Sequence, residues 1–210
     1  MKNLPLRLLI ILTLSAVACF RSLPSAANVA ANREEAALST TVQTCASCHG
    51  VAGQSISPTF PNLAAQKAPY LEAQLKAFKD QSRGDPDAQA YMWGMASQLS
   101  DVMISGLAHY YAKQPPAPGQ SKDLALVGRG KQVFEQGIPA EKIPPCASCH
   151  GAHAEGMESF PRLAGQHAPY LLKQLLVIQN ALRNAPVMHG IVKELTRDQM
   201  LAVATYLESI

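Results

Sequence analysis

The chain has 210 residues, 48% of them apolar and 6% aromatic, with a formal net charge of +3. That length fits one or two domains with a packed core, and the scarcity of alternating β-branched runs argues against a sheet-based fold. Lys2, Arg7 and Arg21 account for the whole net charge, and the balanced remainder offers no clustered basic face of the kind nucleic-acid binding requires.

In chain order, the first segment has a basic start at Met1, Lys2 and Arg7. An apolar run follows from Leu8 to Phe20, then the small-x-small site Ser25-Ala26-Ala27. This predicts a secretory signal peptide over residues 1–27, cut after Ala27. The apolar run is shorter than the roughly 20 residues a membrane span needs. Asn32 to Thr44 reads as a first helix with a weak pattern. It precedes Cys45-Ala-Ser-Cys48-His49. Ala68-Pro69-Tyr70 starts a helix with proline in its first turn. Leu71, Leu75 and Phe78 share one face of it. Met92 lies in the following loop, and Ser100 caps a last helix. The stretch Gln114-Pro-Pro-Ala-Pro-Gly-Gln-Ser121 is a semi-stiff connector. It sets the boundary between expected domains at 28–118 and 119–210. Beyond it, Asp123 to Gln136 reads as a helix ended by Gly137. Cys146-Ala-Ser-Cys149-His150 follows, and then a helix with Leu171, Leu175 and Ile178 on one face. Met188 comes next, and Thr196 with Gln199 forms a capping box.

The order of landmarks is the same in both halves. The first Cys-Ala-Ser-Cys-His-Gly recurs 101 positions on, and Phe60-Pro-Asn-Leu-Ala-Ala-Gln-Lys-Ala-Pro-Tyr-Leu71 recurs 100 positions on as Phe160-Pro-Arg-Leu-Ala-Gly-Gln-His-Ala-Pro-Tyr-Leu171. Gln74 matches Gln174, Arg83 matches Arg183, and Tyr110 matches Tyr206 after a short deletion. The chain reads as one unit duplicated.

Cys-x-x-Cys-His, met twice, points to covalent haem c. Two thiols one helical turn apart can add to the two vinyl groups of a haem, and the adjacent imidazole reaches the iron. Zinc would need further paired ligands in each unit, and a thioredoxin-like pair would need a βαβ setting. Cys45, Cys48, Cys146 and Cys149 are therefore the expected attachment points of two haem c groups, with His49 and His150 as axial ligands. Met92 and Met188 occupy equivalent places, each seven residues before the start of the last helix. They are the expected sixth ligands, with Met95 the alternative in the first unit. Thioether ligation raises the iron's potential and fills its second face. His189 competes with Met188, but Trp93 stands in its place in the first unit. His109, His153 and His167 have no counterparts and read as surface or core residues. No catalytic constellation is visible.

From Thr44 to Leu207 these motifs resemble the dihaem cytochromes c4 of the bacterial periplasm. The resemblance implies an all-α fold of two tandem class I cytochrome c domains, each wrapped around one covalent haem c. It implies His/Met ligation at both irons and a periplasmic electron carrier rather than an enzyme. The carrier would stand between a donor such as a quinol–cytochrome c reductase and an acceptor such as a terminal oxidase, with peripheral membrane association open. The alternatives are a dihaem oxidoreductase of peroxidase or thiosulfate dehydrogenase type, or a haem subunit of a membrane redox complex. The same resemblance makes Pro61 and Pro161 acceptors for the ring N–H of His49 and His150. It makes Gly130, Phe134 and Tyr206 a helix-crossing contact. Arg83 and Arg183 read either as partners of haem propionates or as solvated charges. The first unit departs from the pattern in lacking Gly-x-x-x-Phe before its haem motif, and in carrying Ala65 where the second has Gly165.

Overall fold

No glycine or proline interrupts the chain between Ala26 and His49, and these residues form one helix, α1 (Ala26–His49). It runs straight into the first Cys-x-x-Cys-His motif, so the expected Asn32–Thr44 helix is longer at both ends. This computed structural model describes residues 25–120 and 123–210, and nearly all of the expected signal peptide lies outside them. The chain divides into a unit ending at Glu35 and a unit from Ala36 to Ile210 that holds both copies of the repeat.

After α1 the first copy continues with α2 (Ala68–Lys79), the short α3 (Trp93–Ala96) and α4 (Asp101–Ala112). A wide π-helical turn over Ala88–Met92 leads into α3. The second copy has α5 (Leu124–Gln136), α6 (Ala147–His150), α7 (Ala168–Gln179), α8 (Pro186–Val192) and α9 (Arg197–Ser209). Here α5 stops at Gly137, whose φ is +67°. Pro139, Pro144 and Pro145 then keep the chain irregular up to the haem motif. Among the described residues there are no strands, only two isolated bridges, Ile138 to Ile143 and Met157 to Phe160. The caps predicted at Ser100 and Thr196 are in place, and Asp123, expected as the first residue of its helix, is instead the cap of α5. Ser100 accepts from the Met103 N–H at 3.2 Å. Asp123 accepts from the Leu126 N–H at 2.9 Å, and Thr196 with Gln199 closes a capping box.

Each copy has its own core. In the second, α5 crosses α9 at Gly130, where a Cβ would lie 2.0 Å from the Ala202 carbonyl oxygen. Phe134 and Tyr206 pack alongside, ring centroids 5.6 Å apart. In the first, Leu38, Val42 and Cys45 of α1 pack on Leu107, Ala108 and Tyr111 of α4. The small residue there is Gly106 of α4, which stands at the position of Ala202 and meets the Leu38 side chain at 3.4 Å. The missing Gly-x-x-x-Phe is thus answered from the opposite helix. Ala65 keeps the left-handed turn of its counterpart, with φ +56° against +71° at Gly165. Its N–H donates to the Tyr111 carbonyl as that of Gly165 does to Leu207, both at 2.9 Å. The alanine bears a cost of about 1–2 kcal/mol there. Gly165 has no such latitude, because a Cβ would come within 2.5 Å of the Ala117 carbonyl oxygen.

The copies grip each other through the repeated Phe-Pro-x-Leu-Ala-x-Gln segment. Gln66 donates to the carbonyl of residue 162 at 2.9 Å and accepts from its N–H at 2.7 Å. Gln166 does the same to residue 62, both contacts at 2.9 Å. His167 adds a contact, its Nε2–H donating to the Ser55 carbonyl at 2.9 Å.

Candidate functional site

Each haem motif ends a helix so that its histidine turns inward. His49 is 7% exposed and His150 4%. The Nδ1–H of His49 donates to the Pro61 carbonyl at 2.9 Å, and that of His150 to the Pro161 carbonyl at 3.0 Å. These bonds commit the ring proton to Nδ1 and leave the Nε2 lone pair free to bind a metal. The rings of Phe60 and Phe160 meet their histidines edge-on at 6.1 and 6.3 Å. Burial lowers both imidazole pKa values from the ordinary 6.5, the proline carbonyls opposing it in part. The neutral form that ligates iron is therefore the resting form.

One continuous, mainly apolar cavity joins the two copies, and it brings Cys45, His49 and Met92 together with Cys146, Cys149, His150 and Met188. Cys48 is the exception, being exposed and outside the cavity lining, and all four cysteines are free of disulfides. Burial pushes the Cys146 thiol up to about 11, so it is protonated at neutral pH. Met92 lies half-buried at the end of the π-helical turn, whereas Met95 is 47% exposed and outside the cavity. The His189 ring is occupied, its Nδ1–H donating to the Ile178 carbonyl at 2.9 Å. Trp93 does an equivalent service, its Nε1–H donating to the Arg83 carbonyl at 2.8 Å. His109 and His153 are exposed.

The wall of that cavity also carries a polar network built from both copies. Arg83 donates to Asp85 at 2.8 Å, to Gln74 at 2.7 Å and to Gln174 at 2.9 Å. Arg183 donates to Gln174 at 2.7 Å, to Tyr70 at 2.8 Å and to Gln74 at 2.9 Å. Both arginines are buried, which overturns the solvated-charge reading. The recurrence of Gln66, Tyr70 and Gln74 in the second copy marked these positions in the sequence but not their role. Nothing marked Asp85.

These residues fit haem c. Two sulfurs one turn apart border each histidine. His150 Nε2 is buried with no protein partner, and two guanidiniums on the cavity wall suit carboxylate groups. Among the described residues, no cluster of three or more His, Cys, Asp or Glu side chains is arranged to hold a bare metal ion.

A family model described as "Cytochrome c" matches residues 34–113 and 127–210. The chain is 43% identical over 169 residues to "Cytochrome c-552" of Acidithiobacillus ferridurans, covering 79% of this chain and 73% of that one. It is 36% identical to "Cytochrome c4" of Thiocapsa roseopersicina, covering 79% and 86%. The solved cytochrome c4 of Acidithiobacillus ferrooxidans is similar with a TM-score of 0.77 and 41% identity, over 80% of this chain and 99% of that one. Over 88 residues, 41% of each chain, the present chain is 41% identical to a "Thiosulfate dehydrogenase electron acceptor" of Stutzerimonas stutzeri. The chain belongs to the cytochrome c family, among its two-domain cytochrome c4 members, and is an electron-transfer protein with two covalently bound haem c groups.

Proposed function

We propose that Cys45 and Cys48 attach the first haem and Cys146 and Cys149 the second. His49 with Met92, and His150 with Met188, are the axial pairs. The carrying observation is the equivalence of the two copies: in each, a buried histidine with its Nδ1–H committed to a proline carbonyl shares a cavity with one methionine. Haem supplies a one-electron couple. The chain supplies neutral imidazole on one side, thioether sulfur on the other and apolar surroundings that keep water from the iron. With both faces filled, the change of oxidation state needs little rearrangement, which suits transfer of electrons and not bond-making.

The domains in this reading are 28–118 and 119–210, following a signal peptide over 1–27 that delivers the protein to the periplasm. Among the described residues no helix is long and apolar enough to cross a membrane. The donor is a quinol–cytochrome c reductase and the acceptor a terminal oxidase. The likeness to a thiosulfate dehydrogenase electron acceptor supports a second donor, such a dehydrogenase passing on electrons from thiosulfate.

The test is a haem count and redox titration of the mature protein. Two haems per chain are expected. Met188→Ala keeps both and lowers one potential on the order of 0.1 V, within the roughly 0.8 V that axial ligands span. It also removes half of the long-wavelength absorption of thioether-ligated ferric haem. Unchanged potentials and spectrum overturn the assignment of Met188.

A further inference from the structure

The duplication makes the protein its own control. The groups around the two histidines recur in pairs: Pro61 and Pro161, Phe60 and Phe160, Gln74 and Gln174, Arg83 and Arg183, Met92 and Met188. One buried charge does not. Asp85 is 1% exposed, and the position 100 residues on is Ala185.

Asp85 lies on the cavity wall, two residues beyond Arg83. Its Oδ2 accepts from Arg83 Nε at 2.8 Å, and its Oδ1 has no protein partner although buried. Arg83 in turn stacks on Phe78, 4.7 Å from the ring centroid, and Phe78 packs in the apolar cluster with Ala88 and Met92. In the second copy Ala185 packs in the matching cluster with Ile178, Val192 and Met188. Position 85 thus connects to the surroundings of the first methionine through Arg83 and Phe78, and position 185 packs with the second directly.

Two guanidiniums therefore face the shared cavity, and one carboxylate answers them, on the first copy's side. Asp87 also lacks an acidic counterpart, Val187 standing in its place, but it pairs with Lys173 near the surface, where both are partly exposed and screened. Reduction adds an electron at an iron. A fixed negative charge beside it opposes that addition and an uncompensated guanidinium favours it. Haem carboxylates are common to both copies and drop out of the comparison.

We infer that Asp85 sets the two redox centres apart, holding the first copy's iron at a lower potential than the second's, so that its carboxylate is a positioning charge for the direction of internal electron flow. This rests on the haem and ligand reading above. A unit charge about 12 Å from an iron, at an effective dielectric of about 20, is worth about tenfold in the redox equilibrium. For a one-electron couple that is about 59 mV.

The experiment is a spectroelectrochemical titration of the mature dihaem protein, with each wave assigned to its haem by the NMR shifts of the haem methyls. Asp85→Asn is expected to raise the first centre's potential by about that amount and leave the second nearly unmoved, narrowing the gap. Ala185→Asp, which places a carboxylate beside Arg183, is expected to lower the second centre. Asp85→Glu keeps the charge and is expected to keep the gap, which a purely structural role for Asp85 would not produce. Equal movement of both waves in Asp85→Asn, or no movement of the first, overturns the inference, as does a wild-type protein whose first centre is the higher one. If Asp85→Asn fails to accumulate, Ala185→Asp alone decides, and an unmoved second wave overturns the inference. A haem count below two, or loss of methionine ligation in the wild type, would instead strike the underlying reading, so the two failures are told apart.

Discussion

At the scale of single residues, the two histidines carry the chemistry, and their surroundings make it dependent on pH. Burial favours the neutral ring at both His49 and His150, against the weaker pull of the proline carbonyls. Iron on Nε2 acts in the same sense, because metal and proton compete for one lone pair. The folded-state pKa lies below the unfolded 6.5, so the unfolded chain takes up protons first as the solution is acidified. Stability is present in full above pH 6.5 and is lost as pH falls through the lower folded value. Urea midpoints measured from about pH 8 to about pH 5 are expected to be level and then to decline. A midpoint that rises on acidification would contradict this. The histidine–proline pairs were expected from the family resemblance and lie 12 residues apart in one copy and 11 in the other. The arginines were only half legible. Burial of Arg83 and Arg183 depends on glutamines and a tyrosine donated by the opposite copy, and no local pattern encodes that.

At the scale of helices, the starts were readable and some interiors were not. Ser100, Asp123 and Thr196 each satisfy an N–H that the helix itself leaves open, so the cap residue declares the boundary. The length of α1 follows from an absence, since nothing in it breaks a helix, and a weak apolar stripe concealed this. The wide turn at Ala88–Met92 had no signature at all, because its shape comes from packing of Ala88 and Met92 with Phe78. The α5–α9 crossing yields a paired prediction. At Gly130 a methyl group would collide with the Ala202 carbonyl, while at Gly128, two residues earlier and on the opposite side of the helix, it meets nothing within 4 Å. Gly130→Ala is expected to cost about 1–3 kcal/mol or more through overpacking. Gly128→Ala is expected to be neutral or to stabilise by up to about 1 kcal/mol through helix propensity. Thermal unfolding of the two variants checks both signs.

At the scale of the whole 36–210 unit, Gln66 and Gln166 help to hold the two copies as one body, beside the arginine network and the Asn62–Gly165 bond. Replacing both glutamines with alanine leaves the backbone N–H groups of residues 62 and 162 without their partners, a loss of about 1–3 kcal/mol each. Calorimetry of Gln66→Ala/Gln166→Ala is expected to resolve two transitions where the parent shows one, with haem content unchanged. A single transition at the parental temperature would show that the grip lies elsewhere. The duplication itself was plain in the sequence, where prolines crowd Gln114 to Ser121 between the copies. How the copies face each other was not, because the repeated glutamine looks the same whether it points at solvent or at a neighbour.

The glutamine clasp touches only main-chain atoms of the other copy. Side-chain identity at the clasped positions is therefore invisible to it, and the two positions have diverged: Asn62 is buried and its Nδ2–H donates to the Gly165 carbonyl across the seam at 2.8 Å, while Arg162 stands at the other. A join built this way tolerates drift: after duplication, one copy could turn its side chain into the seam as an added donor and the other could carry a cation, while the mutual alignment of the two copies stayed put.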